Sequence, residues 1–403
     1  MKLSQSVLIS LVSASHFRGG SYQVIPGDND VRIDFTHTWR RGAAGYGAGC
    51  TQSHVANQLQ STPVSSYSCN LVQGNGSCGA GDMKYTVTFV EDNVPNANDQ
   101  YCYGDGTNRI PKTSLTGPAT YGWTSCCWVP LTTDAGKRVS GGTMTQQMTV
   151  NDWTNTSPTF KLPPIWLIMS GCDAQSVDLA PVDADGDKVK CRWATSAEAG
   201  GVYNNGNWPS LTLDGDNCRV VYTGSRDSTN VGVKPVALMI EDFDSAGNVR
   251  SSVPIQFLAQ VWTPNLNSRR HGIQYPNWFP QEEEHEDHVY FETSLGNSSR
   301  GRRSTPPYCT AAPEFDEKTP EDGACIEISS ETVEFALKAT SQVGTISSFS
   351  YQAPIGLTCT DADQNGESRC TWTPTPSQLK IEEHQFCFSV TDSTGLVSGN
   401  LYR

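Results

Sequence analysis

Apolar and polar residues alternate with period two over short stretches of the chain, and these stretches are broken by clusters of Gly, Asn, Asp and Pro. Val31, Ile33, Phe35, His37 and Trp39 fall on one side of such a stretch, with Arg32, Asp34, Thr36, Thr38 and Arg40 on the other. Tyr85, Val87 and Phe89 repeat the pattern, as do Val253, Ile255, Phe257, Ala259 and Val261. Successive strand side chains point to opposite faces, so this alternation predicts strands with one face turned to a core. Long helical periodicity is almost absent. Many short strands separated by turn residues predict an all-β, disulfide-rich chain built from tandem β-sandwich modules.

An internal repeat divides the C-terminal part. One copy opens at Ser157-Pro158-Thr159-Phe160 and the other at Ala312-Pro313-Glu314-Phe315, and each is followed by a cysteine, Cys172 and Cys325. An acidic turn comes next, Asp183-Ala184-Asp185-Gly186-Asp187 in one copy and Asp361-Ala362-Asp363-Gln364-Asn365-Gly366 in the other. Both then carry Cys-x-Trp, at Cys191-Arg192-Trp193 and Cys370-Thr371-Trp372, and both approach their end with an apolar strand and a Gly turn. The expected organisation is an export signal over 1–14, an N-terminal β-rich disulfide module over 15–155, a sandwich module over 156–262, a linker over 263–308 and a related sandwich module over 309–403. The linker holds the acidic run Glu282-Glu283-Glu284-His285-Glu286-Asp287-His288 and the basic site Arg300-Gly301-Arg302-Arg303.

Composition sharpens the compartment. Acidic residues outnumber basic ones, 42 against 28, for a net charge of −14. Nucleic-acid binding needs clustered Lys and Arg to neutralise phosphate, so it is excluded as a function class. No apolar run approaches the length that spans a bilayer as a helix. Lys2 followed by Val7-Leu8-Ile9-Ser10-Leu11-Val12 and by small residues at Ser13 and Ala14 has the form of a secretory leader. Fourteen cysteines stand at 50, 69, 78, 102, 126, 127, 172, 191, 218, 309, 325, 359, 370 and 387, with no zinc-type C-x-x-C spacing. An even number without a metal pattern predicts disulfides in an oxidising compartment. The adjacent Cys126-Cys127 are expected to bridge to different partners. The triplets at Asn75, Asn155 and Asn297 are expected N-glycosylation sites.

Ser15-His16-Phe17-Arg18-Gly19-Gly20, followed by a strand ending in Thr38-Trp39-Arg40-Arg41, resembles a group of animal secreted and cell-surface proteins. The resemblance continues through Asp183 to Ala194, Ile240-Glu241-Asp242-Phe243, Val253 to Leu258, Thr371 to Thr375 and Phe386-Cys387-Phe388. It implies an N-terminal module followed by immunoglobulin- or cadherin-like domains outside the cell. It lends no catalytic residues.

The candidate chemistry is sparse. Asp183, Asp185 and Asp187 in one turn and Asp361 and Asp363 in the other are candidate Ca²⁺ ligands, because a hard cation takes several closely spaced oxygens. The EF-hand pattern is excluded, since the twelfth residue from Asp183 is Ala194. Arg300, Arg302 and Arg303 form a dibasic processing site in a polar segment. Leader removal before His16 would present an N-terminal histidine able to chelate copper together with His37 or His54, the oxidase alternative. No H-E-x-x-H, G-x-S-x-G, phosphate-loop or dinucleotide motif occurs. The expected role is therefore that of a secreted structural or adhesive protein without catalytic activity. Its expected partners are other extracellular proteins, glycans or further copies of itself assembled into a polymer. The alternatives are a secreted copper oxidase or hydrolase, and a soluble carbohydrate- or protein-binding receptor.

Overall fold

The structure is a computed structural model. It describes residues 17–40, 51–60, 65–73, 76–91, 101–126, 128–139, 142–160, 165–170, 172, 175–200, 208–224, 231–262 and 312–320. Within 324–398 it describes all but 325, 327, 329–331, 355, 377–378, 380–385, 395 and 397. The expected linker lies outside these residues.

The regular secondary structure of the described residues is nearly all strand, with short helical turns such as Gln52–Ala56 and Ser196–Ala199. The N-terminal part contains β1 (Phe17–Pro26), β2 (Asp30–Arg40), β3 (Ser65–Leu71), β4 (Ser77–Met83), β5 (Thr86–Glu91), β6 (Tyr101–Pro111), β7 (Ala119–Cys126), β8 (Leu131–Thr132), β9 (Arg138–Val139) and β10 (Thr143–Val150). The middle part contains β11 (Ile165–Met169), β12 (Gln175–Asp178), β13 (Lys188–Trp193), β14 (Leu211–Asp214), β15 (Arg219–Tyr222), β16 (Gly232–Phe243) and β17 (Val249–Trp262). The last part contains β18 (Glu314–Phe315), β19 (Val333–Thr340), β20 (Ile346–Gln352), β21 (Thr358–Cys359), β22 (Glu367–Trp372) and β23 (Cys387–Asp392).

β17 organises the first two parts. One of its edges pairs with β16 along nearly the whole strand, from Gly232↔Val261 to Phe243↔Val249. Its other edge receives three strands in succession: β10 at Ser251 and Ser252, β1 at Ile255 and Gln256, and β11, parallel, at Leu258–Trp262. β1 continues outward to β2, β6 and β5, and β10 continues to β7, β3 and β4. These two wings close on each other as the layers of a sandwich. Phe17 meets Trp123 edge-to-face at 6.0 Å, Tyr22 meets Tyr121 at 5.6 Å, and Asn108 Nδ2 donates to the Tyr121 hydroxyl at 2.7 Å. Residues from Phe17 to Val261 share one hydrophobic core. The segments read from the sequence as modules 15–155 and 156–262 are thus hydrogen-bonded into a single 12-stranded sheet. β12, β15 and β14 form a separate three-stranded sheet of the middle part.

The alternating positions sit where their period places them. Val31, Ile33, His37 and Trp39 are fully buried, and so are Val253, Ile255, Phe257, Ala259 and Val261. β17 differs from a half-exposed strand because Gln256, Leu258 and Gln260 on its other face are buried as well. The Gln256 amide answers this by donating to the Thr145 carbonyl at 2.8 Å, since a buried polar group left without a partner costs about 1–3 kcal/mol. On the outer face of the β1–β2–β6–β5 wing, cross-strand polar pairs replace packing: Thr36 with Asp105, Thr107 with Asp34 and Arg109 with Asp30.

The Phe17-Arg18-Gly19-Gly20 segment is explained by crowding at the seam. Phe17 packs edge-on against Trp39 and Trp128, and Arg18 lies over the Tyr101 ring at 5.3 Å. A Cβ on Gly20 would come within 2.5 Å of the Thr36 carbonyl oxygen and 2.9 Å of His37 Cδ2. Gly20→Val is expected to lower stability by about 1–3 kcal/mol, the range for overpacked interiors. Gly117→Ala, whose Cβ meets nothing within 4 Å, serves as the neutral control in the same urea titration.

The last part has a small core of its own, in which Leu337, Trp372 and Phe388 are buried and Phe315 packs edge-on against Phe388 at 5.2 Å. It contains the sheet β18–β19–β22–β21 and the pair β20–β23.

Candidate functional site

A polar constellation lies at the seam where residues 151–157 cross from β10 toward the middle part. Arg250 on β17 donates through Nη2 to Asp152 Oδ2 at 2.8 Å and through Nη1 to Asp187 Oδ2 at 2.6 Å. Asp185 Oδ2 accepts the Thr156 amide at 2.8 Å. Ser157, fully buried, exchanges hydrogen bonds with Val24 of β1: the Val24 amide donates to Ser157 Oγ, and the Ser157 amide donates to the Val24 carbonyl. Asn155 donates its side-chain amide to Asp242, whose other oxygen accepts both the amide and the hydroxyl of Ser251. Burial pushes the Asp242 carboxyl up, opposed by these donors. The constellation fixes one element against another.

The acidic turns are explained by the same chemistry. Asp183 Oδ1 accepts the amides of Asp185 and Asp187, and Asp363 Oδ1 accepts those of Asn365 and Glu367. Asp244 and Asp392 hold the amides two and four residues on in the same way. A short carboxylate that caps its own turn is a local alternative to ladder hydrogen bonding. The third residue after the Asp is glycine in each case, and Gly186, Gly247 and Gly366 take φ of +80°, +86° and +72°. By hydrogen-bond pattern, Asp363 is the counterpart of Asp183, and Asp361 lies outside the capped turn. Asp183 Oδ2 is buried without a partner among the described residues, yet the neighbouring Asp187 faces the Arg250 guanidinium. Among the described residues no group of three or more His, Cys, Asp or Glu is placed to hold a metal ion.

Asn155, expected as a glycan acceptor, is corrected. It is 1% exposed and its side-chain nitrogen is engaged by Asp242, so a sugar on that atom has no room in the folded chain. Asn75, Asn297, Arg300, Arg302, Arg303 and His16 lie outside the described residues. His37 is also corrected as a copper ligand. It is fully buried among Phe35, Trp123, Phe17, Trp39, Tyr22 and Tyr85, with ring centroids 4.8 to 6.5 Å away. His54 Nδ1 is paired with Thr51 Oγ1 at 2.7 Å.

The disulfides join neighbouring segments. Cys69–Cys78 links adjacent strands β3 and β4, and Cys359–Cys370 links directly opposed residues of β21 and β22. Cys191–Cys218 ties β13 to the turn before β15. The two Cys-x-Trp motifs therefore use their cysteine differently: Cys191 bridges forward by 27 residues, whereas Cys370 bridges back by 11. Cys102 and Cys172 are disulfide-bonded as well. Cys50, Cys127, Cys309 and Cys325 lie outside the described residues, as do the side chains of Cys126 and Cys387.

Sequence reading missed Arg250 with Asp152, and Lys234 with Asp134. The signal for the second was a lone lysine inside the apolar run Val233 to Ile240.

No family model matches the chain, and no curated protein matches it. Among solved structures, it is similar to a chimeric titin Z1Z2 at 10% identity, covering 60% of this chain and 93% of that one, with a TM-score of 0.16. It is similar to protocadherin gamma B7 cadherin domains 1–4 at 12% identity, covering 84% and 71%, with a TM-score of 0.21. For human protocadherin-24 EC1-2 the identity is 11%, the coverage 61% and 92%, and the TM-score 0.22. At these scores the likeness carries no functional argument, and the all-β sandwich fold rests on the strands and registers above. Among the described residues no helix is long and apolar enough to cross a membrane.

Proposed function

We propose that the protein is a secreted structural or adhesive component of an extracellular assembly, acting by presenting a stiff, covalently pinned β surface rather than by catalysis. The observation that carries this reading is the fate of its reactive groups. Cysteines are paired between adjacent segments, the seam carboxylates are bound by Arg250 and backbone amides, and His37 is sealed in an aromatic core. A stapled sheet restricts the unfolded chain and so favours persistence outside the cell. Expression of the full chain in cultured animal cells tests the address. Recovery from the medium, with assemblies larger than a monomer by sedimentation, is the expected outcome. Retention in the cytosol contradicts the reading, and a monomer at every concentration removes self-association from it.

The acidic turns act as backbone caps in this reading, not as calcium sites. The melting temperature is expected to be the same with calcium and with excess chelator. A lower value in chelator would give the cation a structural place.

A further inference from the structure

Lys234 is fully buried on β16, and its Nζ lies 2.5 Å from Oδ1 of Asp134, which sits in the β8–β9 hairpin. The other carboxylate oxygen accepts the Ser210 amide at 2.7 Å. Trp208 Nε1 donates to the Thr132 carbonyl at 2.9 Å, and a Cβ on Gly232 would meet the Thr132 side chain at 2.3 Å, so the hairpin is pressed onto β16. The hydroxyls of Ser210 and Tyr222 are buried there without partners among the described residues. We propose that this cluster is a self-modifying site, in which Lys234 Nζ and Asp134 Cγ condense to an intramolecular isopeptide bond.

The chemistry needs nothing beyond these groups. The reaction begins with transfer of one ammonium proton to Oδ1, which frees the Nζ lone pair 2.5 Å from that oxygen. Desolvation holds the Lys234 amine below its usual range, opposed by Asp134. The amine attacks Cγ, and the Ser210 N–H steadies Oδ2 as negative charge develops on it. One amine proton moves to Oδ1 and the C–Oδ1 bond breaks, releasing water and leaving an amide. One N–C bond replaces one C–O bond, with no change of oxidation state and no co-reactant. Fixed placement of amine and acid supplies the proximity that a bimolecular condensation lacks. The product joins residues 100 apart in sequence and resists reducing agents. It is independent of the export reading, because the step requires no oxidising compartment.

Mass spectrometry of the purified full chain, with every disulfide reduced, tests this. A digest is expected to yield a branched peptide joining the segments that contain Asp134 and Lys234, lighter by one water than the two separate peptides. Lys234→Arg, which keeps the positive charge, and Asp134→Ala are each expected to abolish it. Separate, unmodified Asp134 and Lys234 peptides from the wild-type chain overturn the proposal, as does a branched peptide that persists in Lys234→Arg.

Discussion

Acidification from pH 7 to pH 4 is expected to cost the 17–262 unit about 3 kcal/mol through His37 alone. Burial pushes the His37 imidazole down from 6.5 to about 3, with Gln146 opposing the shift only in part. Between those two values the unfolded chain binds a proton that the folded chain refuses. Stability therefore rises with pH across this window. The contribution is fully present above about pH 6.5, falls as the pH drops below it, and is exhausted near pH 3. Carboxylates titrate over part of the same range, so the comparison must isolate the histidine. His37→Phe keeps an aromatic ring among Phe35, Trp123 and Trp39 but removes the titrating group. Urea midpoints measured at pH 7, 5 and 4 are expected to fall more steeply for the wild type than for His37→Phe. Parallel pH profiles would show that His37 is solvated, and the sealed aromatic core would have to be abandoned.

Loss of the Cys191–Cys218 bridge is expected to cost about 3.5 kcal/mol, from the loop-closure entropy of a 27-residue separation. Both sulfurs are nearly buried, Cys191 at 6% and Cys218 at 2% exposure, so a double alanine variant avoids stranding a polar group. The bridge ties β13, a partner of β16, to the sheet that contains β15, and the Cys191 amide reinforces it by donating to the Gly215 carbonyl at 2.8 Å. Thermal unfolding of Cys191→Ala/Cys218→Ala should show one transition at lower temperature, because residues 17–262 share one core. An unchanged midpoint would mean that the two layers hold together by packing alone.

Strand faces were legible from the chain because alternation is a local property. Val31 to Trp39 and Val253 to Val261 are buried at the positions their period assigns. The seam was not legible. Two strands distant in sequence, β1 and β10, add to the same edge of β17, and nothing local to residues 17–26 announces that partner. The acidic turns illustrate a second limit. Asp-x-x-Gly supplies both the carboxylate that caps a turn and the oxygens that a cation would use, and only the positions of Arg250 and the Thr156 amide separate the two. Asn155 illustrates a third, since a sequon is a triplet whereas its burial against Asp242 depends on a strand 87 residues away. The repeat was visible as matched motifs, but cysteine spacing does not encode pairing, and Cys191 and Cys370 choose partners on opposite sides in sequence.

Cysteines of this chain serve as covalent staples between neighbouring β segments. Peptide mapping of unreduced protein, with free thiols blocked before digestion, tests this directly. Linked peptides are expected for Cys69 with Cys78, Cys191 with Cys218 and Cys359 with Cys370. Blocked thiols at these six positions, or bonds joining them in other pairs, would show that these cysteines do not staple neighbouring β segments.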